Sequence, residues 1–296
     1  MTAAADSGAS QFVTTHDGLK LHVRTFGPRQ AAGSPVVCLP GLARTVADFA
    51  VLARTLASDA ERPRPVVAID YRGRGRSDYD PDPRNYNLAT ELADVLAVIT
   101  ALDLDPAVVV GTSRGGILAM LLGAARPTAM AGVVLNDIGP IIEVQGLARI
   151  KSYVGRLPEP ASFADAGIIL RRLFAGQFPR LTGDDWIAFA KRSFREEGGR
   201  LIPTYDVKIA TTLEGVDLER PLPPLWAEFD ALSALPVMVI RGANSDLLSA
   251  ATVAAMRERR PDLLAIEVPE QGHAPLLAEP EIIGRIASFI RVCERR

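Results

Sequence analysis

The feature that most narrows what this chain can fold into is a rhythm. Short, wholly apolar runs that stop at a turn alternate with stretches of helical periodicity. Residues 35–39, 65–69, 107–110 and 132–135 are four such runs, and residues 237–240 and 264–268 are two more toward the other end. Residues 46–57, 87–102 and 115–125 fall between the earlier runs, and residues 250–259 and 281–291 between and after the later ones. A strand that is apolar on both faces must be covered on both faces, so the alternation predicts an α/β fold, a mostly parallel sheet between two helical layers. Ahead of it, residues 12–26 roughly alternate apolar and polar around Asp17-Gly18, the pattern of a β-hairpin.

The rhythm breaks at residues 141–224, which read as consecutive amphipathic helices over 143–156, 161–175 and 184–197, with no strand among them. Thr182 is placed to cap the last of these, and Pro221-Leu222-Pro223-Pro224 closes the segment because it cannot be helix interior. The chain therefore divides into a core domain over 1–140 and 225–296 with a helical cap inserted at 141–224. A length of 296 residues suits one α/β unit with an insertion.

Composition removes several function classes. With 33 Lys and Arg against 35 Asp and Glu, the net charge of −2 gives no basic surface for a nucleic acid backbone. Cys38 and Cys293 form neither a disulfide framework nor a metal-ligand spacing and are read as reduced thiols. Residues 1–10 lack the basic start and apolar stretch of a signal peptide, and no apolar run approaches the ~20 residues needed to cross a bilayer. The expectation is a cytoplasmic protein without nucleic acid or membrane partners. Nothing in the sequence bears on its oligomeric state.

The chemistry starts at Gly111-Thr112-Ser113-Arg114-Gly115, which follows an apolar strand and opens a helix. A G-x-S-x-G stretch in that setting lifts a serine hydroxyl to the tip of a sharp turn, over a helix N-terminus that favours developing negative charge. A serine nucleophile needs a base, and the chain has three histidines. His16 and His22 lie in the hairpin, where surface positions are expected, whereas His273 follows the last strand in Gln271-Gly272-His273-Ala274-Pro275. By elimination His273 is the base. A carboxylate should orient it, and two candidates follow strands: Asp246, which is preferred, and Asp137, for which a loop-capping role is the expectation.

These residues, with Pro40-Gly41-Leu42, Asp70-Tyr71-Arg72-Gly73-Arg74-Gly75-Arg76-Ser77, Ser245-Asp246 and Gly272-His273, resemble the α/β-hydrolase fold superfamily. The likeness is to its capped serine hydrolase branch of carboxylesterases, lactonases and meta-cleavage-product hydrolases, and it runs over roughly residues 12–290. The resemblance implies a catalytic acid at Asp246, an oxyanion hole from the backbone N–H groups of Leu42 and Arg114, and a cap over the pocket. One departure stands out. Relatives often carry His-Gly where this chain has Pro40-Gly41, so the oxyanion loop loses a side chain that commonly orders it. Ser113 at the elbow disfavours the dehalogenases and epoxide hydrolases, which use Asp there, and Ala274 stands where carbon–carbon hydrolases commonly carry Trp.

The glycine-rich run at 72–76 fits neither a phosphate loop nor a dinucleotide fingerprint and is read as a structural turn, with Arg72 buried and paired. Arg114 is expected near the pocket, either on an acidic substrate or in a salt bridge to the cap, and Leu173 and Phe174 are taken as inward cap residues. The resulting expectation is a serine hydrolase of a small to medium ester, lactone or similar acyl compound, using Ser113, His273 and Asp246 and no cofactor or metal. The rivals are carbon–carbon cleavage of a vinylogous diketo acid and a ligand-binding protein that keeps the fold.

Overall fold

A computed structural model describes residues 8–31 and 33–295; most of the segment read above for an export signal lies outside the described residues. Strands β1 (Ala9–Thr14) and β2 (Lys20–Phe26) form the antiparallel hairpin, and Gly18 takes a φ of +88° in its turn. Then come β3 (Val36–Leu39), α1 (Ala50–Ala57), β4 (Val66–Ile69), α2 (Leu88–Ala101), β5 (Ala107–Thr112), α3 (Arg114–Ala125) and β6 (Met130–Asn136). The insertion contributes α4 (Val144–Tyr153), α5 (Phe163–Phe174), α6 (Gly183–Ser193), β7 (Phe194–Glu197) and β8 (Arg200–Pro203). The chain returns through α7 (Trp226–Asp230), β9 (Val237–Gly242), α8 (Ala250–Arg259), β10 (Leu264–Val268) and α9 (Pro280–Cys293).

Eight strands make one sheet in the order β1-β2-β4-β3-β5-β6-β9-β10, parallel from β4 onward. Period-2 alternation sends successive residues of each strand into opposite layers. Val36 and Cys38 of β3 join Val66 and Ala68 of β4 under α1 and α9, while Val37 and Leu39 join Val67 and Ile69 in the cluster that includes α2 and α3. This is the two-sided α/β architecture the rhythm requires. No helix among the described residues is long and apolar enough to cross a membrane.

Two local expectations need correction. The helix expected over 184–197 stops at Ser193, and β7 and β8 form a small hairpin joined by Gly198 and Gly199 at φ +58° and +76°. A Gly-Gly turn with two positive φ angles is a hairpin signal, but the charged flanks Arg195-Glu196-Glu197 hide the alternation that usually accompanies it. His22 is not a surface residue. It is buried, with Nδ1 2.7 Å from Asp70 Oδ2 and Nε2 3.0 Å from Ser10 Oγ. Arg72 is fully buried on the carboxylates of Asp94 and Asp80, with Asp17 reaching in from the hairpin turn.

The insertion has an apolar centre of its own, built from residues such as Leu170, Phe174, Trp186, Phe189 and Phe194. A capping box between Thr182 and Asp185 starts α6.

Candidate active site

Ser113 is the single residue between β5 and α3, at φ +52° and ψ −116°. Its neighbours must be glycine for a direct steric reason. A Cβ on Gly111 would sit 2.4 Å from the Gly115 carbonyl oxygen, and one on Gly115 would sit 2.0 Å from the Leu39 carbonyl oxygen. Neither contact is possible, so the pattern read from the sequence is the condition for so tight a turn. The turn holds the serine in a strained backbone conformation with its hydroxyl at the C-terminal end of the sheet.

His273, in the loop after β10, comes to meet it: Nε2 lies 2.8 Å from Ser113 Oγ. On its other side Nδ1 lies 2.8 Å from Oδ2 of Asp137. A carboxylate on Nδ1 fixes the proton there and leaves Nε2 to accept from the serine hydroxyl. Asp137 is fully buried at φ +56° and accepts two further hydrogen bonds, from Ser245 Oγ at 2.5 Å and the Gly242 N–H at 2.8 Å.

Asp246 is therefore not the residue on His273. Its carboxylate takes a bidentate pair from Arg149 of α4, at 2.6 Å from Nε and 2.9 Å from Nη2. Burial works against its ionised form, but the Arg149 guanidinium outweighs it and holds the carboxyl below the usual range. The physical reason lies in strand adjacency. Because β6 is the direct neighbour of β5, the residue just past its end stands beside the elbow, and the loop after β9 presents Ser245 rather than Asp246 to that acid. The polar pair Asn136-Asp137 at the end of an apolar strand was the available signal.

Two further residues went unread in the sequence. Asn136 donates through Nδ2 to Thr112 Oγ1 and to the Pro275 carbonyl, both at 3.0 Å, tying the elbow strand to the histidine loop. Gln177 of the insertion accepts the His273 N–H through Oε1 at 2.9 Å, and its Cβ occupies the space a side chain on Gly272 would need, at 2.4 Å. The insertion thus touches the histidine loop directly.

The Pro40-Gly41-Leu42 loop runs past the elbow, since a Cβ on Gly41 would lie 3.8 Å from that of Ser113. Leu42, Ser113 and His273 open onto a cavity of about 570 Å³ whose other wall is largely apolar and comes from the insertion, including Ile150, Leu170 and Phe174. Leu173 is exposed instead of inward. On one side of the cavity Arg44 and Arg192 share the carboxylate of Asp48, Arg44 through two 2.6 Å hydrogen bonds and Arg192 at 3.4 Å. Arg114 pairs with neither the cap nor the cavity. Its Nε donates to Glu91 of α2 at 2.6 Å. No group of three or more His, Cys, Asp or Glu side chains among the described residues is arranged to hold a metal ion.

Against known proteins, the sequence profile described as "Alpha/beta hydrolase family" matches residues 36–284. A 3-hydroxybutyrate-oligomer hydrolase from Cupriavidus necator is 32% identical over 263 residues, covering 86% of this chain and 87% of its own. A 2-(acetamidomethylene)succinate hydrolase from Mesorhizobium japonicum is 28% identical over 98% of this chain and 99% of its own. Among solved structures, an alpha/beta hydrolase from Novosphingobium aromaticivorans superposes with a TM-score of 0.85 at 36% identity, covering 96% of this chain and 98% of that one.

Proposed function

The chain belongs to the alpha/beta hydrolase family, and from that premise we propose that it is a serine hydrolase of carboxylic esters, lactones or similar acyl compounds working through a covalent acyl-enzyme. The observation that carries the reading is the unbroken hydrogen-bonded chain from Ser113 through His273 to the buried carboxylate of Asp137. Ser113 Oγ attacks the carbonyl carbon while His273 Nε2 takes its proton. The tetrahedral oxyanion is held by the backbone N–H groups of Leu42 and Arg114. His273 then returns the proton to the leaving alcohol, and a water activated by the same nitrogen releases the acid. Asp137 keeps the imidazole in its working tautomer and stabilises the imidazolium.

The cavity supports a small to medium acyl group, because its volume lies within the usual range for ligand pockets. Two guanidiniums sharing one carboxylate leave a positive excess at its edge, which suits a substrate with an anionic end. Short hydroxy-acid esters join both traits, and the Cupriavidus relative is by its name a hydrolase of 3-hydroxybutyrate oligomers.

The test is a turnover screen of p-nitrophenyl esters of increasing chain length, 3-hydroxybutyrate dimers and trimers, lactones and vinylogous diketo acids, run beside labelling by a fluorophosphonate probe. Turnover of esters with labelling confined to Ser113 is the expected result. Turnover of the diketo acids alone would replace acyl transfer by carbon–carbon cleavage, and an inert, unlabelled protein would make it a binding protein. A second expectation concerns Phe174, which lines the cavity and meets Tyr153 edge-on with ring centroids 5.1 Å apart. Phe174→Leu should shift the ratio of kcat/KM between long and short acyl chains toward the longer by roughly tenfold, the scale of one or two methylenes in an apolar pocket. A chain-length profile that superimposes on wild type would remove Phe174 from the acyl site.

A further inference from the structure

Behind the oxyanion loop lies a buried charge bridge. Arg74 is fully buried in the turn after β4, and Nη1 lies 2.8 Å from Oε1 of Glu91, itself fully buried on α2. The other carboxylate oxygen of Glu91 accepts from Arg114 Nε at 2.6 Å. One carboxylate therefore joins two guanidiniums, and each guanidinium belongs to one side of the oxyanion site. Arg114 follows the nucleophile and supplies one backbone donor in the reading above. Arg74 donates through Nε to the Leu42 carbonyl at 2.9 Å, and so grips the residue that supplies the other.

The grip acts at the right place. The Leu42 N–H belongs to the Gly41–Leu42 peptide. The peptide after it is fixed by Arg74 on the Leu42 carbonyl, and the peptide before it by the Tyr71 hydroxyl on the Pro40 carbonyl at 3.2 Å. The carbonyl of the donor peptide itself accepts the Arg44 N–H at 3.2 Å. A peptide plane held on both flanks and at its own oxygen has little freedom to turn its N–H away. The histidine that many relatives carry beside Gly41 is absent, and Arg74 holds the same loop at the Leu42 carbonyl.

We propose that Arg74 and Glu91 are positioning residues for the reaction: the Arg74–Glu91–Arg114 bridge sets both oxyanion donors against Ser113 before substrate arrives. This rests on the serine hydrolase reading. Preorganised donors act on the tetrahedral state and not on the bound ester, so their disturbance separates kcat from KM. Nothing in a purely structural role predicts that separation.

The experiment uses Glu91→Gln and Arg74→Lys. The first keeps shape and removes the shared charge. The second keeps the charge but cannot serve Leu42, Arg72 and Glu91 together, as the guanidinium does. Kinetics on the best ester are expressed per active site titrated with fluorophosphonate, so that misfolded protein drops out. Affinity for a trifluoromethyl ketone, which mimics the tetrahedral state, is measured in parallel. We expect kcat per site to fall by about 10- to 100-fold, somewhat less than the loss of a whole donor, with KM within twofold. Ketone affinity should fall in proportion to kcat/KM. Wild-type kcat and ketone affinity in either folded variant would overturn the proposal. Should both buried variants fail to fold, Arg114→Gln, whose side chain is partly exposed, carries the test with the same two outcomes. A wild-type protein that neither turns over esters nor labels would instead overturn the underlying reading, and this inference with it.

Discussion

Ser113→Ala is expected to lower kcat on esters by as much as about 10⁶-fold while leaving the melting temperature close to wild type. The rate effect follows from losing the only atom that can form the acyl bond. The small stability effect follows from the structure. Ser113 makes no side-chain cap on α3, and alanine meets the same cost at φ +52° that serine already meets. What is lost is one hydrogen bond to His273, worth about 1 kcal/mol. Thermal unfolding with steady-state turnover on the same preparation checks both halves. Ester turnover that persists in protein purified free of wild type would end the serine hydrolase reading.

The second large effect belongs to Asp137. Asp137→Asn preserves the shape of the carboxylate but offers His273 Nδ1 an amide, which favours the wrong imidazole tautomer. The exchange costs about 10⁴ in kcat in a well-studied serine protease. Stability should also drop, because Ser245 and the Gly242 N–H both donate to the same buried group and lose a charged acceptor. Asp246→Asn should behave differently. It leaves the partly buried Arg149 without its counter-ion and loosens the contact between α4 and the loop after β9. We therefore expect KM to rise and Tm to fall with kcat changed by less than about tenfold, since the Asp246 carboxylate is taken up by Arg149 and not by the imidazole. The two variants measured side by side at neutral pH, with circular dichroism as the folding check, separate the residues. A near-normal Asp137→Asn beside a collapsed Asp246→Asn would move the orienting role to Asp246.

The sheet was legible because its strands are continuous apolar runs and their helices have the right period; those are local signals, and they place Ser113 and His273 at the C-terminal ends of β5 and β10. The acid was not legible for the same reason. Choosing between Asp137 and Asp246 requires knowing that β6 lies against β5, and that Arg149 waits 97 residues upstream to occupy Asp246. Neither fact has a trace in the residues near either aspartate. His22 was misread on similar grounds: a polar residue in an alternating hairpin reads as solvent-facing until Asp70, 48 residues on, is seen to bury it. Within the insertion, α6 announces itself through the cap Thr182, whereas β7 and β8 are four residues each and carry charges on the turn-side ends.

Placing the orienting carboxylate at the end of β6 also sets the order in which the site comes into being. Chains are made from the N-terminus, so Ser113, the Leu42 and Arg114 backbone, the Arg74–Glu91 pair and Asp137 all exist before the insertion has been synthesised. Only the imidazole arrives later, from the far side of α8 and β10. A growing chain that has not passed residue 242, or a fragment that breaks between residues 137 and 242, carries the serine and the carboxylate but lacks both the imidazole and the Ser245 and Gly242 donors that hold Asp137. With the acid at residue 246 the late segment would have carried two of the three side chains. As built it carries one, so in the reading proposed above His273 is the last of the three side chains to be made.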